Sequence, residues 1–149
     1  MENLKIRFAK KNDIPIILGL LNELGRPKPK NDSDVDIFRK ITKKYLKDSD
    51  KLILVAEKND VEIIGMVSII YLSRLNQKNY EMYIPELVIQ KKFQNKGVGK
   101  KLIESCEKLA KDKKCHRIRL ESGIKRVESH EFYKNLGFIH SAHSFSKEI

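Results

Sequence analysis

The chain has 149 residues, 40% hydrophobic and 34% charged, a balance that fits a single globular domain spanning residues 1–149 with a core of its own. No apolar run approaches the ~20 residues of a membrane span, and the opening MENLKIRFAKKND lacks the apolar centre of a secretory leader, so a cytoplasmic protein without membrane partners is expected. The net charge of +11, from 31 Lys and Arg against 20 Asp and Glu, would favour polyanions, but the basic residues are dispersed and read as solvated lysines rather than a nucleic-acid surface.

Residues 4 to 8, LKIRF, alternate as a half-exposed strand does. Asp13 then caps a helix with Pro15 in its first turn and an apolar stripe of Ile16, Ile17, Leu20, Leu21 and Leu24. Gly25 to Pro29 ends it in a stiff loop, and Ser33 or Asp34 opens a second helix with Val35, Phe38, Ile41, Tyr45 and Leu46 at helical spacing. Residues 51 to 57 and 61 to 72 are rich in branched apolar residues, and Asn59-Asp60 between them suits a tight turn, so an antiparallel hairpin is expected.

The next strand, 80 to 90, contains Pro85. Proline cannot donate to a ladder, so its place predicts a bulge or a local parting from a neighbour. A helix from Val98 follows, with Leu102, Cys106, Leu109 and Ala110 on its apolar face. Residues 116 to 121 return as a strand, and this strand–helix–strand order implies a parallel pair with a right-handed crossover. Residues 126 to 136 form a short helix stopped by Gly137, and FIHSAHSF makes a last strand. Cys106 reads as a buried, inert thiol. The four histidines have no zinc-site spacing, so no metal is expected.

The informative stretch lies between the Pro85 strand and the helix after it. In Gln94-Asn95-Lys96-Gly97-Val98-Gly99 the two glycines leave backbone N–H groups unshielded, and the helix start adds unpaired N–H groups and a positive dipole end. Such a turn can hold phosphate mostly by main chain. The ATP-type loop is excluded because Lys101 stands where its hydroxyl should be and no glycine precedes Gly99 by five residues. The dinucleotide fingerprint is excluded because Leu102 occupies the place of its third glycine. A glycine-containing turn with no ligand is the plain alternative.

The pattern Gln/Arg-x-x-Gly-x-Gly/Ala at residues 94 to 99 resembles the acetyl-CoA loop of the GNAT family of N-acetyltransferases. Phe132-Tyr133-Lys134-Asn135-Leu136-Gly137-Phe138 is similar to that family's closing FY-x-x-x-GF signature, about thirty residues downstream as the family places it. The segment from Ser122 through Lys125, Arg126 and His130 to Tyr133 further resembles small single-domain bacterial enzymes that include aminoalkylphosphonate acetyltransferases. The resemblance implies an α/β (α+β) fold with a mixed sheet of six to seven strands flanked by about four helices, the fourth and fifth strands splayed. It also implies acetyl-CoA as co-substrate and a direct attack, within a ternary complex, by a primary amine of a small molecule.

Residue roles follow from the same resemblance. Pantetheine is expected along Leu87, Val88 and Ile89, and the phosphates on Gln94, Asn95, Lys96, Gly97, Val98, Gly99 and Lys100, with His130, Tyr133 and Arg126 as further contacts. Tyr133 matches the general acid that protonates the leaving thiolate; a core aromatic is its plain alternative. The base that deprotonates the amine is Glu86, directly or through water, or His130. An ion-paired strand-end carboxylate is the plain alternative for Glu86. Glu23, the 26 to 30 loop and the stretch from Tyr71 to Tyr83 fall on the acceptor side. Acetylation of a protein N-terminus or lysine is the alternative reaction, and a non-catalytic CoA- or RNA-binding module the alternative of another class. A homodimer is compatible with the sequence.

Overall fold

The computed structural model describes residues 3–149, which divide into two compact units, one running to Arg119 and the other Leu120–Ile149. Its elements are β1 (Leu4–Phe8), α1 (Ile14–Glu23), α2 (Asp32–Lys47), β2 (Lys51–Lys58), β3 (Glu62–Leu72), β4 (Glu81–Ile84), β5 (Leu87–Ile89), α3 (Val98–Asp112), β6 (Arg117–Leu120) and α4 (Val127–Asn135). The six strands form one sheet ordered β1-β2-β3-β4-β6, with β5 also paired to β3.

The expected hairpin is β2–β3. Asn59 and Asp60 both take positive φ, +54° and +57°, as a tight two-residue turn requires. The α2 start differs from expectation: Asn31 is the cap, its Oδ1 accepting from the Asp34 N–H at 2.9 Å, so the helix opens one residue before Ser33. Asp13 stands at the N-cap position of α1 as expected, but its side chain makes no cap hydrogen bond to that helix. Its carboxylate accepts from the Lys10 N–H at 2.7 Å and from Arg7 at 2.8 Å, and Arg7 also reaches Glu57 at 2.8 Å, tying β1 to β2.

Alternation along β3 separates two faces. Met66 packs with Ile17 and Leu20 of α1, Ile53 and Val55 of β2 and Val88 of β5, with Tyr45 and Leu46 of α2 against the same cluster. The opposite face lies under α3, where Leu102, Ile103 and Cys106 are fully buried. Two stripe residues, Ile16 (44% exposed) and Ile41 (58%), stay outside this packing.

The strand expected over 80 to 90 is two. Both halves pair with β3, Tyr83 opposite Ile70 before the proline and Val88 opposite Met66 after it. β6 accompanies only the first half. The sheet therefore opens at Pro85, for the reason expected: no N–H is available there to continue the ladder.

In the second unit, α4 ends at a left-handed Gly137 (φ +89°), and Phe138 N–H returns to Tyr133 O at 3.0 Å. The expected last strand is absent; residues beyond Gly137 form no ladder among the described residues. Phe138 and Ile139 are adjacent, so they cannot share a strand face. Phe138 packs on Tyr133, while Ile139 (85%) and Phe145 (92%) are exposed.

Candidate active site

The site grows from the parting at Pro85. Ser68 N–H donates to Glu86 O at 2.9 Å and Gln90 N–H to Ile64 O at 2.8 Å. In an antiparallel ladder this fixes Glu86, Val88 and Gln90 as the residues bonded to β3, and Leu87 and Ile89 as those whose N–H and C=O point away. Gln94 Nε2 caps the outward Ile89 carbonyl at 3.1 Å. The outward edge thus offers Leu87 N–H and C=O and Ile89 N–H, a short template for an extended amide-bearing ligand. Val88 contributes its buried side chain to the core. Gly65 permits this arrangement: a Cβ there would lie 2.7 Å from Ile89 Cδ1 and 3.2 Å from Val88 O.

At the end of β5 the chain turns through Lys91–Phe93 into the glycine loop. Asn95 and Gly97 take positive φ, +61° and +85°. Gly97 occupies the cap position of α3, where no side chain satisfies the first turn, and a Cβ on it would meet nothing within 4 Å. The first-turn N–H groups, on buried Val98 and on Gly99 and Lys100, thus have no side-chain cap from Gly97. Lys92 and Lys96 hold their ammonium groups 5.0 and 5.8 Å from the Phe93 ring centre. These features fit a pyrophosphate-bearing ligand.

On the α1/α2 face of the parting, Ser68, Glu86 and Tyr45 come together. The Ser68 hydroxyl donates to the Glu86 carboxylate and its Oγ accepts from the Glu86 N–H at 3.0 Å. The Tyr45 hydroxyl donates to Ile69 O at 2.9 Å, and burial first, then the charge on Glu86, raises its pKa well above the ordinary value. Arg26, from the loop after α1, donates to Pro85 O at 2.8 Å. Ser68 was not singled out from the sequence, Tyr45 was read only as part of a helix stripe, and Arg26 only as part of the 26 to 30 loop on the acceptor side. A lone serine inside the apolar run EIIGMVSIIYL was the available signal, since a buried hydroxyl needs a partner.

In the second unit, Tyr133 packs edge-on between Phe132 (5.1 Å) and Phe138 (5.6 Å), and burial raises its pKa. His130 Nε2 lies 2.8 Å from Gly123 O, so that nitrogen carries the proton and closes the loop before α4. Lys125 and Arg126 line an open concavity at the α4 start together with Val127, Glu128 and Ser129.

Residues 17–138 match the acetyltransferase (GNAT) family. The chain belongs to that family. This GNAT acetyltransferase is 28% identical over 145 residues, 97% of its length and 91% of the relative's, to an aminoalkylphosphonate N-acetyltransferase of Salmonella typhimurium. Its fold matches a crystal structure described as a transcriptional regulator from Bacillus halodurans (TM-score 0.90, 23% identity, 99% and 100% of the two chains). It also matches AAC(6')-Iy in complex with a bisubstrate analogue, CoA-S-monomethyl-acetylneamine (TM-score 0.82, 16% identity, 99% of each chain). The GNAT fold is thus shared across proteins described in different roles. No helix among the described residues is long and apolar enough to cross a membrane, and no group of three or more His, Cys, Asp or Glu among them could hold a metal.

Proposed function

We propose that this GNAT acetyltransferase moves the acetyl group of acetyl-CoA to the primary amine of a small molecule in the cytoplasm. The observation that carries the reading is the parted edge at Pro85. It sets a free main-chain edge, an uncapped helix start and a hydrogen-bonded carboxylate along one short stretch of chain. The Salmonella relative, by its name an acetyltransferase of amines, supports the same class.

Acetyl-CoA, when bound, supplies an acetyl group already activated as a thioester. Gly97, Val98, Gly99 and Lys100 would hold its phosphates through N–H groups, with Gln94, Asn95 and Lys96 shaping the turn. Leu87 and Ile89 would hold the pantetheine amides, and an outward N–H of this edge would bind the carbonyl oxygen as charge develops on it. Glu86 takes a proton from the alkyl ammonium, directly or through water, and Ser68 fixes the carboxylate for that task. His130 is the less suited base because Nε2 is committed to Gly123 O. Tyr133 donates a proton to the departing thiolate; its raised pKa keeps that proton in place at neutral pH.

The test is free-thiol release from acetyl-CoA across polyamines, aminoglycosides, amino acids, aminophosphonates and a lysine peptide. Release on one class of small amines is expected. Release only on the peptide would replace the small-molecule reading with protein acetylation. Tight CoA binding without release on any amine would replace it with a binding module.

A further inference from the structure

Beside the glycine loop, one buried ring collects three lysines. Phe93 closes the short turn after β5 and is buried, while the ammonium groups of Lys58, Lys92 and Lys96 stand 4.9, 5.0 and 5.8 Å from its centre. They come from separate places in the chain. Lys58 ends β2 at the hairpin turn, Lys92 lies in the turn after β5, and Lys96 sits between the positive-φ residues Asn95 and Gly97.

The charge of this cluster is not balanced. Glu62 stands opposite Lys58 in the hairpin register, yet its carboxylate pairs with Lys92 at 3.7 Å. Among the described residues no carboxylate pairs with Lys58 or Lys96. Their distances to one ring centre put every two of the ammonium groups within about 11 Å of each other, close to one Debye length at about 0.1 M salt, so their repulsion is screened only in part. The ring attracts each cation through its quadrupole but carries no net charge. Three lysines against one glutamate therefore leave an excess of two positive charges, which suits a phosphate monoester of about −1.5 to −2 at neutral pH.

The cluster borders the main-chain phosphate site. That site is built from N–H groups of residues 97 to 100, whereas these cations approach from the β2 end and the chain before Gly97. Besides its pyrophosphate, acetyl-CoA carries one further phosphate, the monoester on its ribose. We infer that Lys58, Lys92 and Lys96 hold this 3′-phosphate, with Phe93 as the positioning residue beneath them. This rests on the proposed acetyl-CoA site at the glycine loop. Its consequence is a selection of CoA against 3′-dephospho-CoA that the loop N–H groups alone do not supply.

Calorimetric titration with CoA and with 3′-dephospho-CoA, in about 0.1 M salt, tests the inference without turnover. CoA is expected to bind about tenfold or more tighter than 3′-dephospho-CoA. Lys58→Gln and, independently, Lys92→Gln are each expected to shrink that ratio about threefold by weakening CoA, as for one exposed ion pair, and melting curves will show that each variant is folded. Lys58→Gln should keep its affinity for 3′-dephospho-CoA within about twofold of wild type. Equal affinity of the wild type for the two ligands overturns the inference and leaves the acetyl-CoA site standing. A ratio unchanged in both folded variants overturns it as well, because the monoester is then held elsewhere. Binding of neither ligand refutes both the lysine clamp and the proposed acetyl transfer.

Discussion

One hydroxyl, Ser68 Oγ, holds Glu86 twice, accepting from its N–H at 3.0 Å and donating to its carboxylate. The contact fixes both the backbone at the point where the sheet parts and the side chain proposed as base. Ser68→Ala leaves the Glu86 N–H and carboxylate without this partner on a nearly closed strand. We expect kcat/KM to fall about tenfold, as for a lost hydrogen bond to a charged group, with the acidic limb of the pH–rate profile displaced. Ser68→Thr should restore most of the rate. Glu86→Gln should remove the acidic limb altogether, and His130→Ala should leave it; the opposite pattern would make His130 the base.

Tyr133 is held between Phe132 and Phe138, and its burial favours the protonated phenol. A raised pKa means that the acid form persists beyond the ordinary value of ~10 as pH increases. No basic limb from Tyr133 is therefore expected in kcat below that pH. Tyr133→Phe should keep acetyl-CoA affinity within about twofold and lose most of kcat, roughly a hundredfold for a positioned general acid. Unchanged turnover would remove Tyr133 from the mechanism.

The hairpin, the crossover helix and the parting at Pro85 were legible because each is written locally. Asn59-Asp60 announces a turn, the 98–110 spacing announces a buried face, and a proline without an N–H must interrupt a ladder. The glycine loop was legible for the same reason. What remained hidden depends on contacts distant in sequence: Ser68 on Glu86, Arg26 on Pro85, and three arginines on Glu81. Asp13 looked like a cap until Arg7, on the neighbouring strand, drew its carboxylate away. The segment after Gly137 has strand-forming residues, but strand identity needs a neighbour, which no local pattern supplies.

Gly97 separates backbone strain from steric exclusion. A methyl group there would meet nothing within 4 Å, yet φ is +85°. Gly97→Ala should therefore leave the core intact and disfavour only the loop conformation, by about 1 kcal/mol. Acetyl-CoA titration should show a roughly fivefold to tenfold weaker Kd with a melting temperature within a few degrees of wild type. A larger loss of stability than of affinity would mean that the loop supports the fold rather than the ligand.

Cys106 is fully buried, and burial pushes its thiol up to about 12. Cys115 is half-buried and also raised by burial. Thiolate is the reactive form, so both should resist a disulfide reagent at neutral pH until the protein unfolds. The native protein should give a slow background in a thiol-release assay and two equivalents of thiol in denaturant. Rapid titration of either cysteine in the native state would contradict this packing.

Acid stability should report the Glu81 cluster. Burial alone would raise the Glu81 pKa, but hydrogen bonds from Arg74 and Arg117 and the charge of Arg119 outweigh it and hold it below the ordinary carboxylate value. Asp13 is held down in the same sense, against burial, by Arg7 and the Lys10 N–H. A pKa lowered in the folded state means that the unfolded chain binds protons first as pH falls. The stabilisation is then complete above the unfolded value of ~4.3 and disappears as pH drops through the lower folded value. Glu81→Gln should cost about 2 to 4 kcal/mol at pH 7, the range for breaking one side of a buried ion cluster. That difference between wild type and variant should begin to narrow below about pH 4.3 and close only as pH falls through the lower folded value. Denaturant unfolding at pH 7, 5 and 3.5 measures the gap directly, and a gap independent of pH would assign the loss to packing instead of charge.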